Sequence, residues 1–260
     1  MATISADGEQ AATPQTTGSF QPNHAWDRNF FLLYTGLIWF GVLMGFGRDV
    51  IHHFKTHEAA YPLVVHFHAA AMTAWLTLFT TQVLLIRTQR WDLHRKLGLG
   101  MTALAAFIVV ISPITAYVVD QRALGTPDSD PSFLCVQWGG ILGFAILVTA
   151  AVLLRRQPAY HKRLILLSTL FIVDAGYARW LGSVIGPISG DGFWGFYAPT
   201  YAIAGALIVG VGAYDLITRR RLHPATIGGV VLTIGLQLIS TTLYLNPAWK
   251  VLTTHWLGGH

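Results

Sequence analysis

Apolar residues fall into seven long runs separated by short polar stretches. A helix needs about 20 mostly apolar residues to cross the hydrocarbon layer of a bilayer. The runs lie near residues 30–46, 62–86, 97–119, 133–154, 164–185, 198–217 and 226–245. The first is the shortest, and Trp26 and Trp39 bracket it as interface aromatics would. This pattern predicts an all-α integral membrane bundle of seven transmembrane helices over 26–245, with core hairpins at 62–119 and 133–185. Residues 1–25 are polar and lack a basic segment before an apolar run. They read as a disordered cytoplasmic tail and not as a cleavable signal peptide. Residues 246–260 read as an extracytoplasmic tail.

Composition strengthens this picture. Apolar residues make up 53% of the 260, charged residues 11%, and mean hydropathy is +0.50. Soluble domains carry about 25% charged residues, so soluble enzymes, disordered chains and coiled coils are excluded together. The single cysteine, Cys135, excludes a disulfide scaffold. The sequence pI is about 9.5, but the basic residues sit in short loops flanking the apolar runs, which argues against nucleic acid as a partner.

Those basic residues also orient the chain. Of the 17, twelve fall on one side: Arg28, Arg87, Arg90, Arg95, Lys96, Arg155, Arg156, Lys162, Arg163, Arg219, Arg220 and Arg221. Arg48, Lys55, Arg122 and Lys250 fall on the other, and Arg179 lies within a span. The positive-inside rule then places the N-terminus in the cytoplasm and the C-terminus outside. Glycines within the spans, among them Gly41, Gly45, Gly139, Gly140 and Gly143, suit close helix packing in lipid. Pro113 and Pro199 are expected to kink or start their helices. A weak repeat is also visible: His94-Arg95-Lys96-Leu97 and His161-Lys162-Arg163-Leu164 enter spans three and five, 67 residues apart.

Eleven histidines are many for such a chain. His52, His53, His57, His66, His68, His255 and His260 fall at or beyond the outer boundary; His24, His94, His161 and His223 fall at the inner one. His66 and His68 are two residues apart, so on a helix they point to opposite sides. His68, Trp75 and Gln82 recur every seven residues and form one stripe, a candidate cofactor-facing surface or a packed Trp between interhelical hydrogen bonds. Span five carries Asp174 and Arg179, charges that inside a membrane mark a functional site by default or a structural pair. Asp215 sits beside Arg219 at i+4 and reads as a plain ion pair. All four lysines lie in loops or at helix ends, which excludes a retinal Schiff base. Phosphate-cradling loops, His-Glu-x-x-His helices and Gly-x-Ser-x-Gly elbows are absent from the sequence.

The stretch 65–98 resembles an uncharacterised family of bacterial His-rich multi-helix inner-membrane proteins. The shared pattern is His66, His68, Trp75, Gln82, Asp92, His94, Arg95, Leu97 and Gly98, then His161 to Leu164. The resemblance implies a multi-pass protein of the bacterial inner membrane and covers spans two to five. More loosely, the chain is similar to b-type di-histidine transmembrane cytochromes, which hold haem between histidines on facing helices. His94 and His161 are suitably placed for that. The outer His68 lacks a histidine partner on span four, where Cys135 and Gln137 occupy the corresponding level, so the resemblance extends to one haem rather than two.

Three readings follow. In the first, a redox protein binds haem b through His94 and His161, or through His68 and an outer histidine. Arg95 or Arg179 would pair with the propionates, Trp75 and Gln82 would line the group, and electrons would pass to quinone or to an outer metal. In the second, His66 or His68, Asp174 and a loop histidine hold a Zn, Cu or Fe ion at the outer face, in an enzyme or a metal-delivery protein. In the third, the chain is a non-catalytic subunit or assembly factor of a larger membrane complex.

Overall fold

The computed structural model describes residues 20–56 and 60–259. Seven long helices form: α1 (Asp27–Thr56), α2 (Leu63–Arg87), α3 (Trp91–Ala123), α4 (Leu134–Leu153), α5 (Pro158–Ser189), α6 (Gly192–Arg219) and α7 (Pro224–Tyr244). Each is long and apolar enough to cross a membrane, α4 together with the single 3₁₀ turn Pro131–Phe133 that leads into it. No strand occurs among the described residues. An eighth helix, α8 (Pro247–Gly258), follows.

Proline starts several helices because its missing N–H would be unpaired there in any case. Pro158, Pro224 and Pro247 stand at the starts of α5, α7 and α8. The residue before two of them caps the new helix. His223 accepts from the Ala225 amide at 3.1 Å, and Asn246 accepts from the Ala248 amide at 2.9 Å. Pro113 and Pro199 lie inside α3 and α6 and start neither.

α5 is the axis of the bundle. It packs along α1, α4, α6 and α7, while α2 pairs with α3 and α3 with α4. α1 touches both α2 and α5, so it sits between the two hairpins. Trp75 fills the interior at 1% exposure, with its ring edge-on to Phe144 and its indole N–H donating to Thr169 Oγ1 at 3.3 Å. Tyr34 and Tyr177 fasten the helices by donating to the carbonyls of Leu207 and Leu37, at 2.8 and 2.7 Å.

Between helices in lipid, apolar burial supplies no drive, so close backbone packing must hold the bundle. The α1–α5 seam does this at Gly41 and Gly45, four residues apart. A methyl group on Gly45 would strike the Gly176 carbonyl, one on Gly176 would lie 2.8 Å from the Gly41 carbonyl, and one on Gly41 would meet the Tyr177 ring. Gly47, two residues on, has open space around it. Gly45→Leu should therefore cost about 1–3 kcal/mol or more through overpacking. Gly47→Leu should leave the detergent thermal midpoint unchanged. Equal midpoints for the two variants would refute the seam.

Candidate functional site

One end of the bundle gathers the start of α1 and the ends of α2 and α6 with the start of α5. Arg87 donates to the Arg28 carbonyl at 2.5 Å. Asp27 receives Lys162 at 2.7 Å, the Tyr214 hydroxyl at 2.6 Å and Arg219 at 3.0 Å. Of the segment expected to be disordered, 1–19 lie outside the described residues. Residues 20–25 lie against this basic end: Arg219 donates to the Gln21 carbonyl at 3.0 Å, and Lys162 donates to that of Pro22. The Phe20 ring faces the guanidinium groups of Arg163, Arg219 and Arg221 at 4.6, 5.2 and 5.4 Å.

Beneath that cover lies a buried ion pair. Arg163 Nε reaches both oxygens of Asp215, at 3.1 and 3.0 Å, and its terminal nitrogen also contacts Oδ1. Thr226 donates to Asp215 Oδ2 at 2.6 Å, and the His223 amide donates to it at 3.3 Å. This corrects the i+4 reading of Asp215 with Arg219: Asp215 ties α6 to α5 and α7, and Arg219 turns to Asp27. Sequence spacing within one helix carries no sign of such a pairing. Losing one partner of a buried, fully bonded pair leaves the other charge uncompensated. Asp215→Ala should cost about 3–5 kcal/mol in detergent denaturation.

Burial, and then the positive charge of Arg163, push His223 from the usual 6.5 down to about 4. The folded protein holds this imidazole neutral, whereas an unfolded chain takes up the proton near 6.5. The stability it contributes is therefore complete above that pH and is lost as pH falls toward 4. His223→Asn keeps a capping acceptor but not the titration. It should flatten the fall in thermal midpoint between pH 7 and 4; an unchanged slope would refute the assignment.

The sequence-selected histidines meet beside this network. His94 and His161 are each the fourth residue of their helix, α3 and α5, and their rings lie 6.3 Å apart, nearly perpendicular at 79°. His161 Nδ1 lies 2.9 Å from the Ala151 carbonyl. A carbonyl can only accept, so Nδ1 carries a hydrogen, which leaves Nε2 as the ring nitrogen turned away from this bond. The buried Nδ1 of His94 has no hydrogen-bond partner. Gln82 donates to the His94 carbonyl at 3.2 Å, and its own Oε1 is buried without a partner. Arg95 is exposed on α3 beside this group.

The other candidates lie elsewhere. His66 is exposed, whereas the half-buried His68 turns to Ser112 on α3, with Nδ1 3.3 Å from its hydroxyl. Asp174 is half-buried on α5, and Arg179 pairs with Asp49 of α1 at 3.4 Å. Among the described residues, no three His, Cys, Asp or Glu side chains converge to share a metal ion. His66, His68 and Asp174 are thus not brought together as one site. His57 and His260 lie outside the described residues. The stripe of His68, Trp75 and Gln82 faces neighbouring helices at three levels, with Trp75 packed between the other two.

The pattern of residues reads 246–260 as an extracytoplasmic tail, whereas the structure folds Pro247–Gly258 into α8. There the Trp249 indole donates to the Ser132 carbonyl at 3.1 Å, and Gln121 donates to that of Leu257 at 3.3 Å. Asn246-Pro247, a capping residue before a first-turn proline, was the available signal. No protein-family model, curated protein or solved structure matches this chain. Fold and composition define its class: an α-helical membrane protein with seven helices fit to span the bilayer.

Proposed function

We propose that this protein is a histidine-rich redox protein of the bacterial inner membrane that holds one haem b between His94 and His161 and passes electrons, with quinone or a larger membrane complex as partner. The observation that carries this reading is the pair of imidazoles at 6.3 Å. Imidazole nitrogens bind metals at about 2.0–2.1 Å, so two rings on opposite sides of one metal have centres roughly 6 Å apart. Metal-bound histidine characteristically donates its other ring N–H to a carbonyl or carboxylate, which orients it and raises its basicity. The Ala151 carbonyl is such an acceptor for His161 Nδ1. The unpartnered atoms of His94 and Gln82 are polar groups that a bound group would satisfy. A haem would bring ligand nitrogens of its own and ask the protein for two, which suits a site where no third His, Cys, Asp or Glu converges among the described residues.

When bound, haem supplies a one-electron couple at this end of the membrane. The chain's own part is to fix the His161 tautomer, hold the α3 and α5 starts at one level and offer Arg95 to a propionate. Purified protein should show a Soret band that sharpens, with α and β bands, on reduction by dithionite. His94→Ala and His161→Ala should abolish those bands, and His68→Ala should keep them. A featureless visible spectrum in protein expressed with ample haem would overturn the reading.

A further inference from the structure

The other end of α1 and α5 carries a polar cavity, unrelated to the histidine pair. Its volume is about 550 Å³, and its polar lining comprises Arg48, Asp49, His52 and Lys55 from α1 with Arg179 and Ser183 from α5. Three permanent cations thus share one cavity with one carboxylate. That carboxylate is engaged, since Asp49 lies 3.4 Å from Arg179 Nε. Arg179 is held further by its bond to the Ala175 carbonyl at 3.2 Å and by Phe46, whose ring lies 4.6 Å beneath the guanidinium. Its side chain nevertheless remains 46% exposed. Arg48 and Lys55 form no ion pair among the described residues, so one carboxylate answers three cations and the cavity carries an excess of positive charge.

The depth of this cavity selects the anion. Asp27 marks the basic end, and Arg48 lies 21 residues along the same helix, about 32 Å at 1.5 Å per residue. Lys162, which bonds Asp27, and Arg179 are 17 residues apart on α5, about 26 Å. The hydrocarbon layer is about 30 Å thick, so the cavity stands at headgroup level on the face opposite the basic end. The flanking surface is fit for acyl chains. Leu43 and Val50 on α1 and Val184 and Ile188 on α5 are all exposed.

We infer that the cavity is a binding site for the phosphate group of an anionic membrane lipid, held by Arg48, Lys55 and Arg179 with the Ser183 hydroxyl as a further donor. Cationic side chains at a membrane surface favour anionic lipid, and a phosphate accepts charge-assisted hydrogen bonds from several donors at once. Asp49 positions Arg179 and limits the net charge.

The test uses the full chain in detergent micelles, titrated with phosphatidylglycerol or phosphatidylcholine and read by native mass spectrometry. Phosphatidylglycerol should be retained at least about tenfold more strongly, a conservative margin for two or three cations. Arg48→Gln with Lys55→Gln should reduce it to the phosphatidylcholine level without lowering the lipid-free thermal midpoint. Asp49→Asn should strengthen it. Equal retention of the two lipids by the natural sequence, or a preference that survives the double substitution, overturns the inference. Complete displacement of the lipid by millimolar inorganic phosphate would assign the site to a soluble phosphate and overturn the lipid as its source.

Discussion

Helices already in lipid gain nothing by hiding apolar side chains from one another, because the acyl chains are as apolar as leucine. What draws them together is dispersion between closely approaching backbones, and the seam of α1 with α5 is one such approach. Gly41 and Gly45 offer no side chains, Gly176 answers with none, and the Tyr177 ring fits the space that remains. The rest of the bundle depends on that approach. With α1 seated there, Tyr34 reaches the Leu207 carbonyl of α6, and the Trp39 indole reaches the Thr80 hydroxyl of α2. Trp75 is then enclosed.

Polar chemistry does for the basic end what glycine does for the seam. Two carboxylates, Asp27 and Asp215, sit among Lys162, Arg163 and Arg219. Between them they join the starts of α1, α5 and α7 to the end of α6. Each carboxylate also takes a hydroxyl, from Tyr214 or Thr226, so their remaining lone pairs are met and the cost of desolvation is offset. Phe20 closes the cluster by laying an aromatic face on three guanidinium groups. The histidine pair lies beside this fixed end, on the first turns of α3 and α5, where helix position is well determined.

The two candidate sites divide the molecule. Near the basic end, His94 Nδ1 and Gln82 Oε1 are buried without hydrogen-bond partners beside the His161 ring, and the proposed metal centre rests on that. At the far end, Arg48 and Lys55 stand without ion-pair partners among the described residues beside the Arg179–Asp49 pair, and the inferred anion site rests on that excess of positive charge. α5 carries a residue of each site, His161 near its start and Arg179 eighteen residues further on, so any change in its tilt would be felt at both.

Much of this was legible in the residues. Seven apolar runs of bilayer length could form little else than spanning helices, because backbone N–H and C=O groups in hydrocarbon must pair within their own segment. That is a local requirement, and local patterns disclose it. The seven-residue recurrence of His68, Trp75 and Gln82, and the matching entries at His94 and His161, are likewise properties of single helices. Pairings between helices were not legible. The sequence placed Asp215 with Arg219 one turn away, whereas the fold joins it to Arg163, 52 residues distant. Arg179 likewise chose Asp49 of α1 over Asp174 of its own helix. Even the docking of α8 depends on the Ser132 carbonyl, which accepts from Trp249, and on the Gln121 side-chain amide, which donates to the Leu257 carbonyl, each over a hundred positions from its partner. Helix periodicity states which residues share a face, but not which other helix that face meets. That choice depends on where the backbones approach closely enough for side chains to reach across, and only the packed bundle decides it.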